Sequence, residues 1–195
     1  MRILLAHNSL YYPSHGGGDK SNRLLMEALS ARGHDIRVAA RIERFGPEPQ
    51  EEFLRRLRSR GVAAQVAPPE VRLRLKGVDV RTLTLEPHLR AFFSRHVEAF
   101  DPDAILTSTD DPAQLLLDIA LRAPRARVVY LVRATIAVPF GPDSSSVNAE
   151  RTEMLRGVDG VVGVSEYVAR YVSRWGGIDA VHVPISLLEP ATPAL

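Results

Sequence analysis

Gly16, Gly17 and Gly18 run directly into Asp19-Lys20-Ser21-Asn22. A bare backbone lets a phosphate or sugar oxygen approach closely, and a glycine loop that opens a helix points unpaired N–H groups at an anion. The same run also reads as a flexible surface loop. It matches neither G-x-G-x-x-G nor G-x-x-x-x-G-K-[ST], the two fingerprints with a defined nucleotide geometry. His7 and His15 flank the run. Each could move a proton, and each also reads as a structural or merely exposed histidine. The six histidines are scattered without an H-E-x-x-H spacing, so no metal site is expected. Asp110-Asp111 offers either an acid/base pair or a helix cap. Arg133 follows the apolar run VVYLV, where a cation could meet phosphate or carboxylate or simply a surface acid. No G-x-S-x-G nucleophile elbow occurs.

These residues need a scaffold, and the apolar periodicity supplies one. Ile3 to Ala6 is a short buried strand. Leu24, Leu25, Ala28 and Leu29 recur at helical spacing, and Gly33 closes that helix as a C-terminal cap. Asp35 to Ala40 is a second strand, and the unit predicts a right-handed parallel crossover. Gly46, Pro47 and Pro49 mark a turn, and Glu51 to Arg60 reads as an amphipathic helix with Arg55, Arg56, Arg58 and Arg60 on its solvated face. Val62 to Ala67 gives a short strand broken by Pro68-Pro69. Val71 to Leu85 alternates, which predicts a β-hairpin or two short strands inserted in an otherwise alternating α/β chain.

Helices follow over Glu86 to Phe100, from Pro112 through Leu121, over Asn148 to Arg156, and from a Ser165 cap through Trp175. Strands are expected at Asp103 to Leu106, Arg127 to Val132, Val158 to Val164 and Ala180 to Val183. Arg133 to Val147 is a long irregular loop. The pattern is a doubly wound, mainly parallel α/β sheet. Ligands sit at the C-terminal strand ends of such sheets. Those ends carry His7 to Gly18, Arg41, Thr107 to Asp111, Arg133 to Ser146 and Ser165-Glu166.

The chain has 195 residues, 45% of them hydrophobic, and a formal charge of +2. That suffices for a substantial core and is too weakly basic to argue for nucleic acid. With no cysteine, disulfides, thiolate catalysis and Cys-zinc sites are excluded. No apolar run approaches the roughly 20 residues of a membrane span. Met1-Arg2 leads straight into a strand, which reads as no signal peptide. A cytoplasmic protein is expected.

Two stretches carry a family resemblance. MRILLAHNSLYYPSHGGGDKSNRLLMEALSARGHDIRVAA and VDGVVGVSEYVARYVSRWGGIDAVHVPISL resemble the N-terminal domain of GT-B glycosyltransferases, specifically family four, the glycogen-synthase-like retaining enzymes. FDPDAILTSTD resembles the strand between them. Together the matches cover about half of the chain. Two positions depart from the family. Many members carry a histidine after the strand matching VVYLV, where this chain has Arg133. Their Pro-Asn-Gly before the interdomain linker is Pro184-Ile185-Ser186 here.

The resemblance implies a Rossmann-like domain over residues 1–186 that binds mainly the acceptor, a small molecule or glycan. A linker over 187–195 would lead towards an absent C-terminal donor-binding domain. It implies a nucleotide-diphosphate sugar as donor, retention at the anomeric carbon, no metal and no further cofactor. Gly16, Gly17 and Gly18 would reach the donor diphosphate. His15, Asp19, Lys20, Asp110, Arg133, Ser165 and Glu166 form the acceptor-binding set, with Arg133 also the catalytic candidate. A shortened chain, inactive alone, is expected, with half of a split enzyme as the other option. The alternative function is a stand-alone α/β binding module or regulatory subunit holding a small phosphorylated ligand. A nicotinamide-dependent enzyme is disfavoured by the missing G-x-G-x-x-G and by Arg41, where an acid would follow the second strand.

Overall fold

The computed structural model describes residues 1–184. The expected linker over 187–195, with Ile185 and Ser186 before it, lies outside the described residues. The sheet is built from β1 (Arg2–Ala6), β2 (Asp35–Arg41), β3 (Ala64–Ala67), β4 (Glu70–Leu75), β5 (Val78–Leu83), β6 (Ala104–Ser108), β7 (Arg127–Val132), β8 (Gly160–Gly163) and β9 (Ala180–His182). The helices are α1 (Gly17–Ala31), α2 (Pro47–Arg58), α3 (Leu89–Phe100), α4 (Leu115–Leu121), α5 (Ala149–Arg156) and α6 (Glu166–Tyr171). Among the described residues the strands form one sheet in the order β3-β4-β5-β2-β1-β6-β7-β8-β9.

Strands β5 to β9, with β2 and β1 between, pair in parallel. The side-chain period of two splits the core. Ile3 and Leu5 of β1 pack with Met26 of α1 and with Phe53 and Leu57 of α2. Leu4 and Ala6 face the other way, into Phe92, Phe93, Leu116, Leu155 and Val168 from α3 to α6. Helices therefore cover both faces, as a parallel sheet requires.

The expected hairpin is present, with β4 and β5 antiparallel and joined by Lys76-Gly77 at positive φ. It is not an insertion set apart from the main sheet. Val80 of β5 pairs with Val38 of β2 in parallel, and β3 adds to the free side of β4. The three strands thus extend the sheet at one end, with β4 antiparallel between β3 and β5.

Four helix boundaries differ from the sequence reading, and one of them is α3, which begins at Leu89 rather than Glu86, beyond Pro87. α2 begins at Pro47 rather than Glu51, because Pro47 occupies the first helical position, where its lost N–H costs nothing. α4 begins at Leu115 rather than Pro112, because Gln114 before it takes a left-handed backbone, φ 57°. The segment expected to run as one helix from Ser165 to Trp175 changes to a π-helical turn over Val172–Gly176.

Candidate active site at the strand ends

Strand order reverses between β1 and β6. The loops leaving neighbouring strands there part to opposite faces and leave a crevice above their C-terminal ends. His7 and Asn8 follow β1, Asp110 and Asp111 follow β6, Arg41 ends β2 and Arg133 follows β7. All of these meet at one place.

Asp110 is the hub. Its Oδ2 accepts the Asn8 backbone N–H at 2.8 Å, and its Oδ1 accepts the Ser108 hydroxyl at 2.5 Å. His7 is fully buried. Its Nδ1 lies 2.7 Å from Asp110 Oδ2, an ion-pair distance rather than an aligned hydrogen bond. Its Nε2 is 3.0 Å from Ser9 Oγ and 3.5 Å from Asp19 Oδ1. Ser9 Oγ in turn donates to Asp19 Oδ1 at 2.6 Å. A single buried imidazole therefore ties the glycine helix to the end of β6.

The two neighbouring aspartates divide their labour. Asp111 is buried, and its Oδ2 accepts the Leu116 N–H at 2.7 Å as the cap of α4. Asn8 Nδ2 reaches its Oδ1 at 3.3 Å. Burial raises the Asp111 carboxyl to about 6; the Leu116 N–H opposes the rise and the Asp110 charge adds to it. The capping alternative describes Asp111, and the networked position belongs to Asp110.

Arg133 is half-buried. Its Nε and Nη2 both donate to Asn22 Oδ1, at 3.0 and 2.7 Å. Asn22 Nδ2 donates to Ser108 Oγ at 3.1 Å, which returns the network to Asp110. Burial holds the guanidinium below the ordinary arginine value, and the Asp110 charge pulls it back up. The Arg133 stem lies over the first turn of α1: a Cβ placed on Gly18 would stand 3.9 Å from Arg133 Cβ.

Gly16, Gly17 and Gly18 are exposed at the start of α1. Asp19 turns back and accepts the Gly16 N–H at 3.2 Å, so an acidic side chain already serves part of that helix end. Lys20 is exposed beside it. His15 sits apart, exposed, 3.3 Å from Glu43 and within reach of Arg56. Ser165 Oγ accepts the Val168 N–H at 3.2 Å as the cap of α6, and Glu166 pairs with Arg170 at 3.3 Å. The structure therefore brings Asp19, Asp110, Arg133 and the glycines together. His15, Ser165 and Glu166 lie outside that network.

Asn8, Asn22, Ser108 and Arg151 were not singled out from sequence. Arg151, in the first turn of α5, donates to the Pro112 carbonyl at 2.5 Å and to Ser146 Oγ at 2.8 Å. Single polar residues inside helices carry no spacing signal. For Asn8 and Ser108, the usable signal was their position at a strand end.

A separate groove lies away from this crevice. It has a volume of about 930 Å³ and runs along α6 and the π-helical turn, lined by Asp143, Glu166, Tyr167, Tyr171, Trp175 and His182 among others. Tyr167 Oη donates to Asp143 Oδ2 at 2.9 Å, and Tyr171 Oη accepts the Asp143 N–H at 2.8 Å. The loop after β7 is thereby strapped to α6.

A doubly wound, mainly parallel sheet with a charged crevice above its switch point places the chain in the Rossmann-like class. Residues 16–186 match the family model described as a glycosyl transferase 4-like domain, and the chain belongs to that family. Solved structures share the fold. OtsA in its apo form is 12% identical with a TM-score of 0.52, covering 88% of this chain and 42% of that one. An α,α-trehalose-phosphate synthase (UDP-forming) from Burkholderia vietnamiensis is 14% identical with a TM-score of 0.51, covering 94% and 48%. The chain thus spans less than half the length of either structure. No curated protein matches the chain. Among the described residues no helix is long and apolar enough to cross a membrane.

Proposed function

We propose that this domain is the acceptor-binding half of a retaining, nucleotide-sugar-dependent glycosyltransferase, with residues 1–186 as the domain and the following residues as a linker. The donor-binding half is carried by further sequence or by a separate chain. The family match and the spatial meeting of Gly16–Gly18, Asp110 and Arg133 support this reading.

One observation carries it. The fold does not need the three glycines. Gly16 has φ −118°, and Gly17 and Gly18 are helical. A Cβ on Gly17 would meet nothing within 4 Å, and one on Gly16 or Gly18 would make only ordinary contacts. Glycine in a helix costs roughly 0.5–1 kcal/mol relative to alanine. Neither backbone strain nor packing explains that cost here. Close approach of a ligand to the bare backbone does.

In this reading Gly17 and Gly18 N–H groups meet the donor diphosphate from across the cleft, and Lys20 beside them belongs to the acceptor set. Arg133, Asp110 and Asp19 hold the acceptor, and Arg133 stands nearest the transfer. His15, Ser165 and Glu166 form its outer margin. The chain alone is then expected to transfer no sugar at a useful rate, and to act in the cytoplasm without a resident metal.

Isothermal titration of this chain with UDP-sugars and GDP-sugars tests the division of labour. Weak or undetectable binding is expected, with transfer appearing only when a donor-binding half is joined. Tight nucleotide-sugar binding by these residues alone would overturn it, and would favour the stand-alone binding module.

A further inference from the structure

Six arginines of the described residues are half-buried: Arg23, Arg37, Arg41, Arg81, Arg133 and Arg151. Three of them are neutralised by carboxylates. Arg23 pairs with Glu27 at 2.7 Å, Arg37 with Asp79 at 2.8 Å, and Arg81 with Asp79 at 2.7 Å and Glu70 at 3.4 Å. The other three are held by neutral oxygens. Arg133 has Asn22 Oδ1. Arg41 has Asn8 Oδ1 at 2.9 Å and the Ile42 and Glu43 carbonyls at 3.2 and 3.3 Å. Arg151 has the Pro112 and Ser146 carbonyls and Ser146 Oγ.

The second group shares one location. Arg41 ends β2, Arg133 follows β7, and Arg151 braces the loop that leaves β6. All three stand at the C-terminal rim of the sheet. A half-buried cation has lost part of its hydration, and a neutral acceptor positions it without cancelling its charge. Among the described residues no carboxylate stands within ion-pair distance of these three: Asp110 holds the Asn8 N–H and the Ser108 hydroxyl, Asp111 the Leu116 N–H and Asn8, and Asp19 the Ser9 hydroxyl and the Gly16 N–H, so Asp110 acts on Arg133 only through its more distant charge. Arg133 spends its Nε and Nη2 on one amide oxygen. Its Nη1 side keeps N–H groups in the planar fork that suits two oxyanion oxygens at once.

Resting on the acceptor reading above, we propose that the acceptor taken by this rim carries a phosphate group, a monoester or diester, which Arg133 receives with Arg41 and Arg151 as flanking cations. At the end of β7 this chain presents a charged fork, which selects an anion over a neutral hydroxyl.

Isothermal titration of the 195-residue chain tests it with four probes: inorganic phosphate, a hexose monophosphate, a neutral disaccharide, and zwitterionic vesicles containing a polyprenyl phosphate. The phosphorylated sugar is expected to bind at least about tenfold more tightly than the neutral disaccharide, and less tightly as salt rises. Inorganic phosphate is expected to compete with it. Arg133→Gln is expected to lower that affinity about tenfold, Arg133→Lys to fall between, and Arg90→Gln, whose arginine pairs with Asp118 on the surface, to change nothing. Circular dichroism of each variant separates loss of binding from loss of fold, and Arg41→Gln supplies a second variant if Arg133→Gln does not fold. Binding of the free hexose monophosphate assigns a soluble acceptor; binding to the vesicles alone assigns a lipid-linked one. Either supports the proposal. Binding of neither, equal affinity for the neutral disaccharide, or unchanged affinity in folded Arg133→Gln and Arg41→Gln overturns it. Tight nucleotide-sugar binding would instead overturn the acceptor reading.

Discussion

The antiparallel end of the sheet and the rim above the switch point handle buried charge in opposite ways. At the antiparallel end Glu70 is buried among His96 at 2.9 Å, Arg72 at 2.6 Å and Arg81 at 3.4 Å, and Asp79 bridges Arg81 and Arg37. Burial alone would raise the Glu70 carboxyl, but the His96 and Arg72 bonds bring it down to about 2. That network is closed. At the rim, Asp110 and Asp111 adjoin each other, and Arg41, Arg133 and Arg151 lean on neutral oxygens. There the carboxyl of Asp111 rises to about 6. A closed network serves stability, whereas an open one leaves charge for a ligand.

The largest expected difference is in stability. Glu70→Gln leaves His96, Arg72 and Arg81 facing a neutral group, and urea denaturation is expected to show a loss of about 3 kcal/mol. Arg133→Gln removes a cation bound to a neutral amide, and a loss within about 1 kcal/mol is expected. Equal losses would erase the contrast between the two regions.

The pH dependence sharpens the contrast because the two carboxyls act with opposite sign. Glu70 has a folded value near 2, below its ordinary 4.5. Its contribution is present above pH 4.5 and is lost as pH falls towards 2. Asp111 has a folded value near 6, above its ordinary 3.8. Folding there takes up a proton, so its contribution grows as pH falls through 6 towards 3.8 and is absent at neutral pH and above. Thermal melts from pH 7.5 to 2.5 on Asp111→Asn and Glu70→Gln, each against the parent, should each remove one of these slopes.

A third and smaller effect separates two sets of glycines. Gly17→Ala places a Cβ in open space, and is expected to raise stability by roughly 0.5 kcal/mol while lowering transfer from the nucleotide-sugar donor once a donor-binding half is joined. Gly141→Ala puts a Cβ 2.3 Å from Tyr171 Oη at φ 81°, and is expected to destabilise by about 2 kcal/mol. Differential scanning calorimetry checks both. A destabilised Gly17→Ala would return the glycine run to a structural role.

Much of this was legible in sequence, and the reasons differ by element. Arg127 to Val132 was read with its observed bounds, because an apolar run between polar turns has little freedom. Ser165 was read as a cap from its type and from Glu166 behind it. The joining of β5 to β2 was not legible, since alternation reports a local face and not a distant partner. Nor was the π-helical turn at Val172, whose apolar spacing also fits an α-helix. At the site, Arg133 and Asp110 announced themselves by standing at strand ends. Asn22 and Arg151, each one polar residue on a helix, gained meaning only when the topology placed them beside Ser108 and Pro112.

The most direct measurement is an amide chemical-shift map of the chain titrated with a hexose monophosphate. The amides of Arg133, Arg41, Arg151 and Asn22 are expected to shift together, while those of Glu70, Arg72, Asp79 and Arg81 stay silent. Shifts confined to the α6 groove around Tyr167 and Trp175, or to the antiparallel strands, would contradict it.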